Sequence, residues 1–249
     1  VGHLLTLRPA LLSLPDQPIL GVRWFQGLHD TFSVLLDATG GITPPLLVQF
    51  QQELESICVS QQTATVQSPP FPKGGTGMKL AAAYLCLNRL TAQATTFADG
   101  HSAVPESDVS GWAHALARQC HADLDELLFL IPWLVLSATP KGLSDIPMLV
   151  EIPTLRELAQ QTLELLPIVG HRLDESRTPK ERDWLAQLRR HIADASQRVQ
   201  ERIAASEGLA LQLSQLTQME YGFLYDKPSH LLAIGYNVGE RRRDESYYD

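Results

Sequence analysis

Apolar residues along this chain recur mostly at helical spacing. Over residues 18–37 they fall at Val22, Phe25, Leu28, Phe32, Leu35 and Leu36, one side of a 3.6-residue period, and Gly40-Gly41 supplies a stop. Thr43-Pro44-Pro45 starts a second helix that runs to about residue 60 with Leu46, Leu47, Phe50, Leu54 and Ile57 on one face. The Ser/Gln/Pro/Gly-rich run at residues 61–77 reads as a flexible link. A third helix over residues 78–97 is rich in Ala and Leu, which suits close packing, and the Gly/Ser/Pro cluster at residues 100–105 ends it. The fourth takes its cap from Ser107 or Ser110, continues through Trp112, Leu116 and Leu124, and kinks or stops at Pro132.

Further along, Ile152-Pro153-Thr154 leads into a helix carrying Leu155, Leu158, Leu163 and Leu166, predicted to end before Gly170. The longest helix, residues 178–219, sets Trp184, Leu188, Ile192, Val199, Ile203, Leu209, Leu213 and Leu216 as an apolar stripe on a charged surface, interrupted at Gly208. At the other end, Leu4, Leu5, Leu7, Leu11 and Leu12 already read as helix, with neither a starting methionine nor a cap before them, so the chain reads as cut from something longer. Near Tyr221 the period becomes strand-like. Phe223-Leu224-Tyr225, the turn formers Asp226-Lys227-Pro228-Ser229 and residues 231–236 predict one β-hairpin. No internal repeat of fixed period is present in the sequence.

Composition narrows the function classes. With 249 residues, 44% of them hydrophobic, the chain can bury a sizeable core. A net charge of -8 on a 19% charged chain argues against nucleic acid as a partner. Cys58, Cys86 and Cys120 stand far apart without CxxC spacing, an odd set that points to a reducing compartment. The most apolar stretch, residues 127–136, contains Pro132 and is about half the roughly 20 residues a membrane-spanning helix needs. It reads as buried core, so no transmembrane segment is expected in this piece, and no export leader is visible in it.

Several motifs are weighed and set aside. Lys73-Gly74-Gly75-Thr76-Gly77 lacks the spacing of a phosphate-binding loop and reads as a connector. His114, His121 and Asp125 could share one helix face, but no HExxH or paired CxxC accompanies them, so no metal is expected. The pairs Glu53/Glu55, Asp123/Asp125/Glu126 and Glu151/Glu157 read as solvated helix faces, and no G-x-S-x-G turn supports a hydrolase serine. The tail is different. Residues 221–249 gather aromatic rings, an asparagine, three consecutive arginines and several acids in a short non-helical stretch, a composition suited to stacking on and hydrogen-bonding sugars. A hairpin with aromatic packing followed by a polar tail is the other reading that stays open.

Phe223-Leu224-Tyr225-Asp226, then residues 232–238 (LAIGYNV), then Ser246-Tyr247-Tyr248-Asp249 follow the order and spacing FLYD…L.SIGYN…SYYD of cyclic β-1,2-glucan synthases, which this tail resembles. Residues 1–11 (VGHLLTLRPAL) resemble the helix that follows a V-D-S-G-N stretch in that family. Residues 239–245 (GERRRDE) depart from the family's D-E-x-R-x-D-P: Glu240, Arg242 and Asp244 match, while the Asp and Pro do not. These enzymes are large membrane glucosyltransferases that combine a domain using UDP-glucose, a glucoamylase-like (α/α)6-barrel region implicated in ring closure, and a phosphorylase-like domain.

The resemblance implies an all-α chain of about six to eight helices, a fragment of an (α/α)6-barrel-type domain with an inserted helical subdomain and one C-terminal β-hairpin. Residues 1–60 would be barrel-type helices, 61–177 the inserted subdomain, 178–220 a long packing helix, and 221–249 the hairpin and a sugar-groove tail. Tyr236, Asn237, Arg241, Asp244, Tyr247, Tyr248 and Asp249 are the expected contacts for a β-1,2-glucan oligosaccharide, whereas Tyr221 and Phe223 are expected to pack the hairpin. No catalytic residue and no cofactor is expected in this piece, because the family's general acid lies on a helix beyond Asp249. The remaining partners would be the other domains of a parent enzyme on the cytoplasmic side of the bacterial inner membrane. A non-catalytic helical scaffold that docks another domain through the long helix is the alternative.

Overall fold

The computed structural model describes residues 2–40, 44–65, 79–101, 107–143, 146–176, 178–218 and 222–247. Among them lie seven α-helices: α1 (Gly2–Ser13), α2 (Val22–Ala38), α3 (Pro45–Thr65), α4 (Leu80–Gly100), α5 (Asp108–Leu130), α6 (Leu155–Glu175) and α7 (Pro179–Thr217). Four short strands follow, β1 (Tyr225–Asp226), β2 (Leu231–Leu232), β3 (Tyr236–Asn237) and β4 (Arg242–Arg243). The chain is therefore all-α with a small C-terminal hairpin region, as the apolar spacing predicts. It divides into two compact units, one of Ser13–Ala205 and one of Val1–Leu12 with Ser206–Asp249.

In the larger unit, α2 packs on α3 and α5, and α4 packs on the same two helices, so four helices close a ring. The reason is in their stripes. Phe25, Leu28, Phe32 and Leu35 of α2, Leu47, Phe50 and Leu54 of α3, and Leu87, Leu90, Ala94 and Phe97 of α4 are all buried at three- and four-residue intervals. Each such side chain taken out of water contributes about 1.5–3 kcal/mol. Phe32 stacks on Phe50 with ring centroids 5.1 Å apart. The α4 and α5 faces include Ala83, Ala94, Ala113 and Ala117, small enough for close approach, and the buried Thr91 hydroxyl donates to the Cys120 carbonyl across them at 3.2 Å.

Local chemistry sets the helix ends. Ser107, not Ser110, caps α5, its hydroxyl accepting the Ser110 N–H at 3.2 Å. Thr154 and Glu157 close a reciprocal capping box on α6, with the Thr154 N–H donating to Glu157 Oε2 at 2.8 Å and the Glu157 N–H donating to Thr154 Oγ1 at 3.1 Å. Pro132 stops α5 as expected and opens a 3-10 turn, Pro132–Val135, in which Trp133 is buried. No helix among the described residues is long and apolar enough to cross a membrane. Residues 127–136 instead bury Leu127, Leu130, Ile131 and Trp133.

One helix runs further than its breakers suggest. α6 continues through Pro167 and Gly170 to Glu175, because Leu165 and Val169 are buried and Leu173 packs on the core, which outweighs the roughly 1 kcal/mol a glycine costs a helix. α7 passes Gly208 and ends at Thr217, close to the predicted end, with Ala210 buried just beyond the glycine. In addition, α3 extends to Thr65, so the first residues of the expected link are helical, and the rest of that link lies outside the described residues.

Phe32→Ala is expected to cost about 3–5 kcal/mol in urea unfolding, since it empties a fully buried stacked position, whereas Leu163→Ala on the exposed side of α6 should stay within about 0.5 kcal/mol of the parent.

Candidate functional site

The C-terminal region carries the most concentrated polar chemistry of the described residues. β1 pairs with β2 (Tyr225↔Leu232, Asp226↔Leu231) and β3 with β4 (Tyr236↔Arg243, Asn237↔Arg242), both antiparallel. The first hairpin is the one the strand-like period predicts. The second was not predicted, because its arginine-rich half lacks apolar alternation. A bridge between Ala233 and Tyr247 links the two pairs. Between Tyr236↔Arg243 and Ala233↔Tyr247 the register slips by one residue, so the returning strand bulges at Asp244-Glu245. The Asp244 N–H still donates to the Gly235 carbonyl at 3.0 Å, and the Glu245 N–H, released from the ladder, donates to Asp244 Oδ1 at 3.2 Å.

The bulge and the second hairpin frame a groove of about 500 Å³ lined by Gly235, Tyr236, Asn237, Arg242, Arg243, Asp244 and Glu245. Tyr236 is half exposed, its ring meeting Phe223 edge to face at 5.5 Å. Asn237 Oδ1 accepts the Glu240 N–H at 3.0 Å and fixes the turn, while Arg242 Nε donates to Glu240 Oε2 at 2.8 Å. Arg241 closes that turn with φ of 52°, a left-handed conformation that costs most side chains about 1 kcal/mol. Gly235 sits where an added Cβ would stand 3.4 Å from Asp244 Oδ2.

Asp226 anchors this region. It is only 7% exposed, and its Oδ1 accepts from Arg243 Nη2 at 2.7 Å while Oδ2 accepts from the Tyr247 hydroxyl at 3.0 Å. Arg243 Nη1 also donates to the Tyr225 carbonyl at 2.7 Å. The Ser229 hydroxyl first, then Tyr247 and the Arg243 charge, hold the Asp226 carboxyl below the usual carboxylate range, against the opposing effect of burial.

Of the expected sugar contacts, Tyr236, Asn237 and Asp244 come together on the groove. Arg241 stands at the turn beside it, and the Tyr247 hydroxyl is engaged by Asp226. Tyr248 and Asp249, like Tyr221, lie outside the described residues. Phe223 packs on the hairpin, as expected. Arg242, Arg243 and Glu245 join the lining although they were not singled out, and Asp226, read as a turn former, is the buried acceptor. The FLYD segment was a signal for Asp226, but its pairing with Arg243 depends on strand register.

Other chemistry-bearing groups are occupied locally. His114 Nδ1 lies 2.8 Å from the Ser110 carbonyl, and His121 Nε2 lies 3.0 Å from Thr95 Oγ1. Glu53 pairs with Arg89 at 2.6 Å. Among the described residues no group of three or more His, Cys, Asp or Glu side chains is placed to hold a metal ion. Cys86 and Cys120 are free thiols whose burial pushes them up to about 12, far from the thiolate a nucleophile requires. The glycine loop around Gly74 lies outside the described residues. Asp123 on α5 stands apart, pushed up to about 6 by burial.

Three outcomes follow from these geometries. Arg241→Asn, which tolerates the left-handed turn, should stabilise the second hairpin by about 0.5–1 kcal/mol, read as increased amide-exchange protection of β3 and β4. Because the folded-state value of Asp226 is depressed, its contribution is complete above about pH 4 and is lost as the pH falls through that lower value. An acid titration of the Tyr247 ring resonances should show this loss, and Asp226→Asn should abolish the step. The sign reverses for Asp123, whose raised value favours the folded state only at low pH. Asp123→Asn should therefore raise stability by roughly 1–2 kcal/mol at pH 7.5, a gain that fades below pH 6 in denaturant titrations.

Compared with known proteins, the chain matches no protein-family model and no curated protein.

Proposed function

We propose that this chain binds a linear β-1,2-glucan in the groove between β3, β4 and the Asp244-Glu245 bulge, as part of the glucoamylase-like region of a cyclic β-1,2-glucan synthase. The observation that carries this reading is how the charges in the groove are balanced. Its two cations are already spoken for, Arg242 by Glu240 and Arg243 by Asp226, whereas Asp244 and Glu245 make no ion pair among the described residues. A phosphate would find its guanidinium partners engaged and would face two carboxylates. A neutral polyhydroxyl chain finds acceptors in those carboxylates, a donor in the Asn237 amide and an apolar face in the Tyr236 ring.

On this reading Tyr236, Asn237 and Asp244 hold sugar directly, Arg241, Tyr247, Tyr248 and Asp249 extend the contact surface, and none of them is the nucleophile. Retaining transfer needs two carboxyl groups about 5 Å apart across the scissile bond, a pair that the resemblance puts elsewhere in the parent enzyme. The parent would draw glucose from UDP-glucose in a separate domain and work on the cytoplasmic side of the bacterial inner membrane. There the helices would serve as part of an (α/α)6 barrel with its inserted subdomain.

A second reading, a helical module that docks another domain, is favoured by one observation. Leu209, Leu211 and Leu216 near the end of α7 are 50%, 61% and 41% exposed.

Calorimetric titration of the chain with linear β-1,2-glucooligosaccharides decides between them. Binding with Kd below about 1 mM, weakened about tenfold by Tyr236→Ala or Asp244→Ala and absent for β-1,4-linked oligosaccharides, is the expected result. A well-folded chain that takes up no β-1,2-glucan would overturn the glucan assignment and leave the docking module.

A further inference from the structure

The groove poses an electrostatic problem of its own. Arg243, Asp244 and Glu245 are consecutive in sequence and all line it. A guanidinium with five donors on a flexible stem takes a carboxylate within reach, and a pairing with Asp244 or Glu245 would consume the acceptors a sugar needs. In the structure this does not happen. Both terminal nitrogens of Arg243 are engaged by groups outside the groove lining, Nη2 by Asp226 Oδ1 and Nη1 by the Tyr225 carbonyl, each at 2.7 Å. Asp226 is well placed to win that competition. It is almost fully buried, and its other oxygen is fixed by the Tyr247 hydroxyl at 3.0 Å, which orients the carboxylate toward Arg243.

We propose that Asp226 is a positioning residue for the groove: it withholds the Arg243 guanidinium from Asp244 and Glu245 and so keeps both carboxylates open to ligand hydroxyls. The inference rests on the glucan reading for its ligand, but the pairing of Asp226 with Arg243 can be measured without any ligand. Asp226 touches no sugar on this account and acts only through Arg243. The charge of Arg243 becomes a liability as soon as Asp226 is neutralised, and removing that charge repairs the groove.

The test uses four forms of the chain: the parent, Asp226→Asn, Arg243→Gln and the double variant. With linear β-1,2-glucooligosaccharides in a calorimeter, Asp226→Asn should weaken binding about tenfold, and the double variant should recover at least about threefold of that loss. A merely structural role for Asp226 would leave the double variant no better than Asp226→Asn, and that result overturns the proposal, as does an Asp226→Asn chain that binds like the parent. If Asp226→Asn does not fold, a folded double variant supports the pairing and failure of both overturns it. Urea unfolding of the same four proteins reads the coupling directly, expected to be at least about fivefold in the unfolding equilibrium. Should the parent bind no glucan, the glucan reading fails on its own, while a coupling below about twofold overturns the pairing of Asp226 with Arg243 on which the proposal stands.

Discussion

The helical part of this chain depends on one constraint: an amphipathic helix must cover its apolar stripe, and no single neighbour covers a stripe as wide as those of α2 to α5. Each of these four helices therefore packs on two others, and the ring closes when α5 meets α2. Aromatic residues fill it where α2 and α3 meet, and small residues let α4 and α5 approach closely. Once that ring is made, α6 and α7 need only a narrow stripe each, which is why α7 keeps a charged surface along most of its length. The same packing explains why breakers lose. A glycine in a helix costs about 1 kcal/mol, and Val169 buried beside Gly170 returns more, about 1.5–3 kcal/mol.

The hairpin region cannot be stabilised that way. Its strands are two residues long and expose Phe223, Leu231, Leu232, Ile234 and Val238. Two-stranded pairs of this size are marginal in water. What ties them is a polar contact, the Asp226 carboxylate reaching both Arg243 and Tyr247 on the returning strand. The carboxylate is almost fully buried, and the Arg243 and Tyr247 donors answer the desolvation that burial imposes, so that removing either would leave it poorly satisfied. The bulge at Asp244-Glu245 follows from fitting that returning strand to two demands, the β3–β4 pairing on one side and the Ala233–Tyr247 bridge on the other.

Stability and ligand chemistry thus meet in the same few side chains. The groove carries two arginines, two carboxylates, an amide and a tyrosine, yet its reactivity is set by which charges are already paired. The helical unit holds its own perturbed groups, the two high thiols and Asp123, but these are consequences of burial beside apolar neighbours and converge on no shared cleft among the described residues. Perturbation by desolvation alone marks the cost of a close-packed core more often than it marks a site.

By itself the sequence determined the all-α class, the order of the main helices, a serine cap at Ser107 or Ser110, a break at Pro132 and the first hairpin, because period, capping chemistry and turn formers act over a few residues. Tyr236, Asn237 and Asp244 were legible as candidates through the composition of the tail and the family resemblance of the segment that contains them. The tertiary structure alone decided that Ser107 rather than Ser110 caps α5, that α6 runs through its breakers, that Arg242 to Tyr247 returns as a second hairpin with a bulge, and that a turn-forming Asp226 is a buried acceptor. Apart from the cap, each of these turns on a contact between residues distant along the chain. Such contacts leave no period to read, since register and burial are fixed only when the partners meet.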